Sequence, residues 1–172
     1  MKNYLSIDQG TTSSRAIIFN SNLEAVVDSQ IEYDLAYPDD GWVELDPEDI
    51  VKSVEETVSN VLKTENNIEA CGITNQRETT IIWSKKTGKP IYPGIVWQDR
   101  RTNDFCDKLK LDGHEELVSE KTGLLLDPYF SATKIKWILD NVDGAKALAE
   151  NGDLLFGTVD TCLLYTSPSP RD

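Results

Sequence analysis

Basic residues are scarce in this sequence, and their scarcity limits what the protein binds. The 172 residues include 17 Lys and Arg against 30 Asp and Glu, which gives a formal net charge of −13 at pH 7. Nucleic acids and anionic membranes are bound by surfaces rich in Lys and Arg. The composition therefore argues against both as partners. An acidic protein still binds nucleotide phosphates when a metal ion and local N–H groups supply the positive charge.

Cysteine, histidine and long apolar runs are also in short supply. The three cysteines are scattered and match neither a disulfide framework nor a metal-ligand spacing. The single histidine, His114, is interpreted as a solvated residue at a helix start rather than as a base. No apolar run approaches the length of a membrane span, and the N-terminal segment turns polar at Asp8, too early for a secretory leader. We therefore expect a protein of the reducing cytoplasm.

The order of the apolar segments predicts an α/β fold. Residues 4–8, 15–20 and 24–32 have the pattern of an antiparallel meander of three strands. Asp46-Pro47 is a strong helix start, and residues 68–74 have the pattern of a buried strand. A meander followed by alternating strands and helices predicts a mixed sheet flanked by helices. The later predicted helices cover 99–111, 115–121, 132–141, with Ser131 as N-cap, and 145–150.

A polar turn between the first two predicted strands carries the clearest chemical signal. Gly10 lets the backbone approach a ligand closely, and the hydroxyls of Thr11, Thr12 and Ser13 can donate to phosphate oxygens together with backbone N–H groups. Asp8, at the end of its strand, can hold a metal ion directly or through water. Taken alone, however, such a segment is more often an ordinary β-hairpin.

Four further residues have side chains suited to a small polyol. Arg77 and Glu78 are adjacent, and they suit a polyol because Arg donates hydrogen bonds and Glu accepts them. Neighbours in an extended chain point to opposite sides, so both reach one ligand only if the backbone turns there. Trp97 offers an apolar face and Tyr129 a hydroxyl. The plain alternatives are surface charges for the first pair and core packing for the two aromatic residues.

Six segments occur in a fixed order along the chain: Asp8–Arg15, Gly41–Glu44, Gly72–Thr80, Ile95–Gln98, Asp127–Phe130 and Phe156–Thr161. Together they closely resemble the N-terminal part of the FGGY carbohydrate kinases, and within that family the members that phosphorylate glycerol. Pentulose kinases of the same family share the phosphate turn but often carry Gln-Met-His where this chain has Asn75-Gln76-Arg77-Glu78. The resemblance therefore favours glycerol as the substrate.

The resemblance implies an actin-like, ribonuclease-H-like domain, one of two that flank an ATP cleft. It implies phosphorylation of glycerol to sn-glycerol 3-phosphate with Mg²⁺ and ATP as cofactors. By position, Thr11, Thr12, Ser13 and Arg15 match the nucleotide-phosphate contacts of the family. Asp8 would lie near the end of the cleft that holds the metal ion and the phosphates.

The resemblance also implies where glycerol binds. Arg77, Glu78 and Tyr129 match the hydrogen-bonding residues of the family, and Trp97 matches the apolar contact. The catalytic base, an Asp in a Gly-Asp-Gln motif, is expected well past Asp172. We therefore expect this chain to be inactive by itself and the complete enzyme to be a cytoplasmic homo-oligomer.

The family is roughly three times as long as this chain, in line with the usual size limit on a single core. Residues 1–161 are therefore predicted to be an incomplete N-terminal kinase domain. Residues 162–172 depart from the family pattern and are predicted to be a non-native tail derived from a sequencing adapter, with a Ser/Pro-rich native tail as the alternative. Two other functions remain open: a non-catalytic actin-like module that binds nucleotide or polyol, and an inert fragment.

Overall fold

A computed structural model describes residues 2–166, which divide into two compact units. The first unit combines Met1–Leu35, Asp46–Arg77 and the segment from Val159 onward, and the second combines Ala36–Leu45 with Glu78–Thr158. The predicted domain boundary after residue 161 falls within the last helix, and most of the predicted tail, residues 167–172, lies outside the described residues.

Strands and helices follow one another along the described chain in a mixed order. They are β1 (Asn3–Gln9), β2 (Ser13–Asn20), β3 (Ala25–Glu32), β4 (Glu44–Leu45), α1 (Pro47–Leu62), β5 (Ile68–Asn75), β6 (Ile81–Ser84), β7 (Gly94–Ile95), α2 (Asn103–Leu111), α3 (Glu115–Thr122), α4 (Ser131–Asn141), α5 (Ala145–Glu150), β8 (Leu154–Gly157) and α6 (Val159–Thr166). No helix among residues 2–166 is long and apolar enough to cross a membrane.

The first unit is built on a four-stranded sheet with the order β3-β2-β1-β5. The strands β1, β2 and β3 are antiparallel neighbours, and β5 pairs in parallel with β1. The predicted meander and the predicted mixed sheet are therefore confirmed. The register places Asp8 of β1 directly opposite Arg15 of β2 and Thr74 of β5.

Helix α1 covers one face of this sheet. Asp46 caps its N-terminus by accepting a hydrogen bond from the N–H of Glu48 at 2.9 Å, and the first turn is acidic, as the sequence predicts. The apolar stripe of α1 contributes the fully buried Val61 to a core shared with the inward-facing residues of β1 and β2. That core contains Leu5, Ile7, Ala16, Ile18 and Val61.

Two predictions about individual elements are wrong. Strand β5 is exposed along nearly its whole length rather than buried, because β1 is its one partner among the described strands and its apolar run lies at the sheet edge. Helix α2 begins at Asn103 rather than at residue 99. The reason is that the Asp99 carboxylate accepts hydrogen bonds from the N–H of Val43 at 2.6 Å and the N–H of Arg101 at 2.9 Å, which fixes a turn there.

The second unit contains two short antiparallel strand pairs, β4 with β7 and β6 with β8. Helix α4 packs against them through Ile138, which is fully buried beside Ile82 and Ile95. The remaining helices lie close to their predicted bounds, and α5 matches its predicted bounds at both ends. His114 is exposed at the N-cap position of α3, as predicted.

A buried arginine holds the second unit together. The side chain of Arg101 is fully buried, and its Nη2 lies 2.8 Å from carboxylate oxygens of both Asp99 and Glu44. Its guanidinium carbon sits 3.9 Å from the ring centre of Trp42 and 4.5 Å from that of Trp137. Burial by itself lowers the pKa of Arg101, but the hydrogen bonds that it donates to the two carboxylates raise its pKa above the usual value. Arg101 therefore stays charged, and it connects three segments of the unit, which contain residues 42–44, residue 99 and residue 137.

Replacing Arg101 by Met is expected to be far more damaging than the same change at Arg100. Loss of Arg101 leaves two buried carboxylates without the cation that neutralises them and costs about 3–5 kcal/mol in the free energy of unfolding. Arg100 pairs with Asp127 at 3.2 Å on the surface, so its loss costs at most about 1 kcal/mol. Urea unfolding of the two variants measures both values, and equal losses would show that Arg101 does not hold the unit together.

Candidate functional site

The polar turn of the first unit is a tight hairpin between β1 and β2. The N–H of Gly10 donates to the carbonyl of Ser13 at 2.8 Å. A Cβ at position 10 would lie 3.2 Å from that oxygen, tighter than most side chains allow, so glycine suits the position. Thr11 and Thr12 stand at the tip, and Thr12 is exposed. The turn therefore presents hydroxyl groups next to closely packed backbone.

The carbonyl of Gly10 is held from inside by three donors. It accepts hydrogen bonds from the hydroxyl of Tyr33 at 2.5 Å, from Nε2 of Gln9 at 2.6 Å and from Nε2 of Gln76 at 3.2 Å. Burial raises the pKa of Tyr33 to about 12, so its hydroxyl stays protonated as a donor. These contacts fix the turn from the side of the core, and sequence patterns gave no sign of them.

The charged residues of this hairpin differ in their contacts. Arg15 forms an exposed ion pair with Asp28 of β3 at 3.0 Å. Asp8 is exposed and makes no salt bridge with any described residue. The described residues contain no cluster of three or more His, Cys, Asp or Glu that could hold a metal ion. One free carboxylate still fits Mg²⁺, which is bound in kinases through one or two carboxylates, water and substrate phosphates.

In the second unit, Glu78 occupies an unusual backbone conformation. Its φ is +61°, in the left-handed region that residues with a side chain rarely adopt. The backbone therefore turns at Glu78, which it must do if Arg77 and Glu78 are both to reach one ligand. The Glu78 carboxylate accepts two hydrogen bonds through Oε2, from the N–H of Ser131 at 3.0 Å and from its hydroxyl at 2.8 Å. Its side chain is thereby fixed at the start of α4.

Lys134 of α4 lies beneath this turn. It is fully buried, and its Nζ donates to the carbonyl of Glu78 at 3.0 Å and to the carbonyl of Tyr129 at 2.6 Å. Burial lowers the pKa of Lys134 to about 8, against the attraction of the Glu78 and Asp99 carboxylates, which acts in the opposite direction. One amino group therefore fixes the main chain of both residues.

Aromatic rings line the same region of the second unit. The rings of Trp97 and Tyr129 meet edge to face with centroids 6.0 Å apart, and Tyr129 meets Phe130 in the same way at 5.1 Å. The carboxylate of Asp127 accepts a hydrogen bond from the N–H of Tyr129 at 2.8 Å and so shapes the turn before α4. The second unit thus brings together a carboxylate, an indole and a phenol.

Most of the predicted site residues fall into two groups, one in each unit. Three of the four predicted polyol contacts, Glu78, Trp97 and Tyr129, cluster in the second unit, while Arg77 is the exposed last residue of a first-unit segment. The predicted phosphate and metal residues, Asp8, Thr11, Thr12, Ser13 and Arg15, all lie on the β1–β2 hairpin of the first unit.

The residues that support these groups were missed from the sequence. Ser131 is not the N-cap of α4, as predicted, but its first helical residue; Phe130 is the N-cap, and the hydroxyl of Ser131 is directed to Glu78 instead. Lys134 could have been found, because it stands four residues before the buried Ile138 and so falls on the apolar face of its helix. A lysine on that face signals a buried polar contact.

Comparison with known proteins assigns the chain to a family. Residues 3–166 match the FGGY family of carbohydrate kinases, N-terminal domain. The chain therefore belongs to the FGGY carbohydrate kinases, and the matched residues belong to the N-terminal domain of that family.

Curated relatives include several proteins described as glycerol kinases. That of Oceanobacillus iheyensis is 56% identical over 165 residues, which cover 94% of this chain and 33% of that protein. That of Marinomonas sp. is 60% identical over 166 residues, again 94% of this chain and 33% of that protein. The chain thus spans about a third of the length of these relatives.

Solved structures agree with the actin-like α/β fold that was expected. The crystal structure of Plasmodium falciparum glycerol kinase with ADP matches with a TM-score of 0.89 and 32% identity, covering 96% of this chain and 34% of that chain. Gluconate kinase from Lactobacillus acidophilus matches with a TM-score of 0.83 at 21% identity, covering 95% of this chain and 32% of that chain. The second likeness shows the fold alone.

Lys134 is expected to make the stability of the chain depend on pH. Its pKa is about 8 in the folded chain and 10.5 when unperturbed, so the unfolded state binds more protons between these values. The free energy of unfolding therefore rises with pH in that interval. Besides burial, the charges of four residues affect the pKa of Lys134: Glu78, Asp99, Arg100 and Asp127.

Urea unfolding is measured for the chain and for its Lys134→Met variant, below pH 8 and near pH 10.5. The difference in stability between the two proteins isolates the contribution of Lys134 from that of other titrating groups. We expect the stability of the chain relative to the variant to increase at the higher pH. A difference that does not change with pH would contradict the lowered pKa.

Proposed function

We propose that the protein containing this chain phosphorylates glycerol with Mg²⁺ and ATP to give sn-glycerol 3-phosphate. The observation that carries the proposal is the cluster of Glu78, Trp97 and Tyr129. Lys134 bonds to the main-chain carbonyls of Glu78 and Tyr129, and the rings of Trp97 and Tyr129 meet with centroids 6.0 Å apart. High identity to glycerol kinases supports the choice of substrate. Because the chain spans about a third of those relatives, the activity is proposed for the whole protein and not for this chain alone.

The polyol-binding residues suit glycerol in size and chemistry. Among the described residues no donor lies within hydrogen-bonding distance of Oε1 of Glu78, so this oxygen is available to accept a hydrogen bond from a substrate hydroxyl. Arg77, next in the chain, donates to hydroxyl oxygens. Trp97 covers the carbon backbone, and the Tyr129 hydroxyl supplies another polar contact. Such fixed contacts orient a hydroxyl for transfer, which is the main task of the protein in phosphoryl transfer.

The hairpin residues suit the phosphates of ATP. Thr11, Thr12 and Ser13 offer hydroxyl and N–H donors on a turn that is fixed from the core. Arg15 supplies a positive charge at the start of β2. Asp8 would hold Mg²⁺ directly or through water, and the ion, when bound, neutralises charge on the phosphates. The catalytic base is assigned to a part of the protein that this chain does not include.

Activity of the full-length protein tests the proposal. The full reading frame that contains this chain is expressed, and ADP release is followed with glycerol, D-xylulose or gluconate in the presence of Mg²⁺ and ATP. We expect turnover with glycerol in strong preference to the other two, from a cytoplasmic homo-oligomer. Preference for D-xylulose or gluconate would identify another kinase of the family, and binding without ADP release would identify a non-catalytic module.

Arg77→Ala in the full-length kinase is expected to impair the use of glycerol. Loss of a hydrogen bond from a charged group raises the KM for glycerol about tenfold or more, while the KM for ATP changes little. Lys86→Ala, an exposed charge in the turn after β6, is the matched control and should leave both values unchanged. Steady-state kinetics decide the matter, and an equal rise in both KM values would count against a role for Arg77 in glycerol binding.

Thr12→Val in the full-length kinase is expected to impair the use of ATP and not the use of glycerol. The variant keeps the shape of the side chain but loses a hydroxyl, so the KM for ATP rises about fivefold while the KM for glycerol stays the same. Thr64→Val, also exposed in the first unit, serves as the control. An unchanged KM for ATP would remove Thr12 from the phosphate site.

A further inference from the structure

We propose that Lys134 and Ser131 form a clamp that positions Glu78 for polyol binding. Lys134 donates to the carbonyl of Glu78, whose backbone is left-handed, and Ser131 donates to the carboxylate of Glu78. The two residues touch Glu78 and not the substrate, so they are positioning residues. The inference rests on the proposed function insofar as Glu78 is a glycerol contact. We refer to the side chain of Lys134 together with the N–H and hydroxyl of Ser131 as the Glu78 clamp.

The backbone of Glu78 is strained. A residue with a Cβ is disfavoured at a φ of +61° because Cβ approaches the neighbouring carbonyl oxygen. Such conformations persist where surrounding contacts impose them, and they occur at functional sites. At Glu78 the imposing contacts are visible: its carbonyl accepts from Nζ of Lys134 at 3.0 Å and from Oγ1 of Thr80 at 3.3 Å.

Burial of Lys134 has a cost in free energy. A lysine that is fully buried loses the hydration of its ammonium group. Among the described residues Lys134 forms no salt bridge that would offset this loss, and its Nζ instead donates to two main-chain carbonyls. An apolar side chain at this place on α4 would avoid that loss of hydration but would not bind the two carbonyls. The buried lysine is therefore explained by the geometry that it imposes on those carbonyls.

One nitrogen atom fixes the main chain of two residues, Glu78 and Tyr129. Nζ of Lys134 lies 3.0 Å from the oxygen of Glu78 and 2.6 Å from that of Tyr129. The two carbonyls thus share one donor, although 50 residues of sequence separate them. Movement of either segment stretches a hydrogen bond to the same ammonium group. The separation of the main chain at Glu78 and at Tyr129 is therefore set by Lys134.

Ser131 completes the clamp by orienting the carboxylate. Both of its donors, the N–H at 3.0 Å and the hydroxyl at 2.8 Å, bind Oε2 of Glu78. Ser131 is the first residue of the 11-residue helix α4, where N–H groups lack partners within the helix and favour an anion. With Oε2 anchored, the second oxygen keeps a fixed direction for the substrate.

Kinetics of two variants of the full-length kinase test the clamp. Lys134→Met removes the donor while keeping an unbranched side chain of similar length, and Ser131→Ala removes the hydroxyl of the clamp. Lys136→Met is the matched control, since Lys136 lies on the same helix but pairs with Asp140 at 2.5 Å on the surface. The KM for glycerol, the KM for ATP and kcat are measured for each protein.

The clamp predicts a selective loss of glycerol affinity. Lys134→Met should raise the KM for glycerol about tenfold or more, and Ser131→Ala about threefold to tenfold, with the KM for ATP within about twofold of the original. Lys136→Met should change neither. Unchanged glycerol values in both clamp variants, or equal increases for glycerol and ATP, would overturn the inference. If Lys134→Met does not fold, Ser131→Ala decides by the same criterion.

A second readout separates the clamp from the proposed function. Backbone ¹³C chemical shifts of Glu78, measured in this chain, report whether its φ is positive, and they do not depend on catalysis. Lys134→Met should move Glu78 out of the left-handed region, whereas Lys136→Met should not. If the full-length protein does not phosphorylate glycerol, the proposed function fails. The shifts still test the clamp, and left-handed shifts that persist in Lys134→Met would overturn it.

Discussion

The ammonium group of Lys134 is the point on which the proposed polyol site depends. It bonds to two carbonyls that belong to distant parts of the sequence, and it keeps one of them in a conformation that a residue with a side chain rarely adopts. Glu78 and Tyr129 both lie in turns outside the strands and helices, so contacts of this kind determine where they lie. Glu78, Trp97 and Tyr129 are half-buried, and the buried Lys134 beneath them fixes the main chain of Glu78 and Tyr129.

A second buried cation, Arg101, acts in the same unit by different means. Arg101 is neutralised by two carboxylates and enclosed by indole rings, so its charge is fully compensated. Lys134 has carbonyl partners instead, and burial lowers its pKa to about 8. Asp99 links the two, since it binds Arg101 and also attracts the charge of Lys134. Removal of either cation therefore changes the electrostatic environment of the other.

The sequence allowed much of the fold and the polar hairpin to be predicted, because these depend on local signals. Alternating residues in β1 and β2, the Asp46-Pro47 helix start and the glycine turn each act within a few neighbours. Burial of β5 was predicted wrongly, because an apolar run does not reveal whether a strand lies at a sheet edge. The contacts of Glu78 could not be predicted, because Ser131 and Lys134 are more than fifty residues away. Long-range hydrogen bonds of this kind leave no periodic pattern.

The central claim is that the cluster of Glu78, Trp97 and Tyr129 binds the substrate polyol. A crystal structure of the full-length protein with glycerol bound tests it most directly. The account predicts a glycerol hydroxyl within hydrogen-bonding distance of the Glu78 carboxylate, glycerol carbons against the ring of Trp97, and Lys134 still bonded to the carbonyl of Glu78. Glycerol bound elsewhere, or a Glu78 carboxylate directed away from it, would contradict the account.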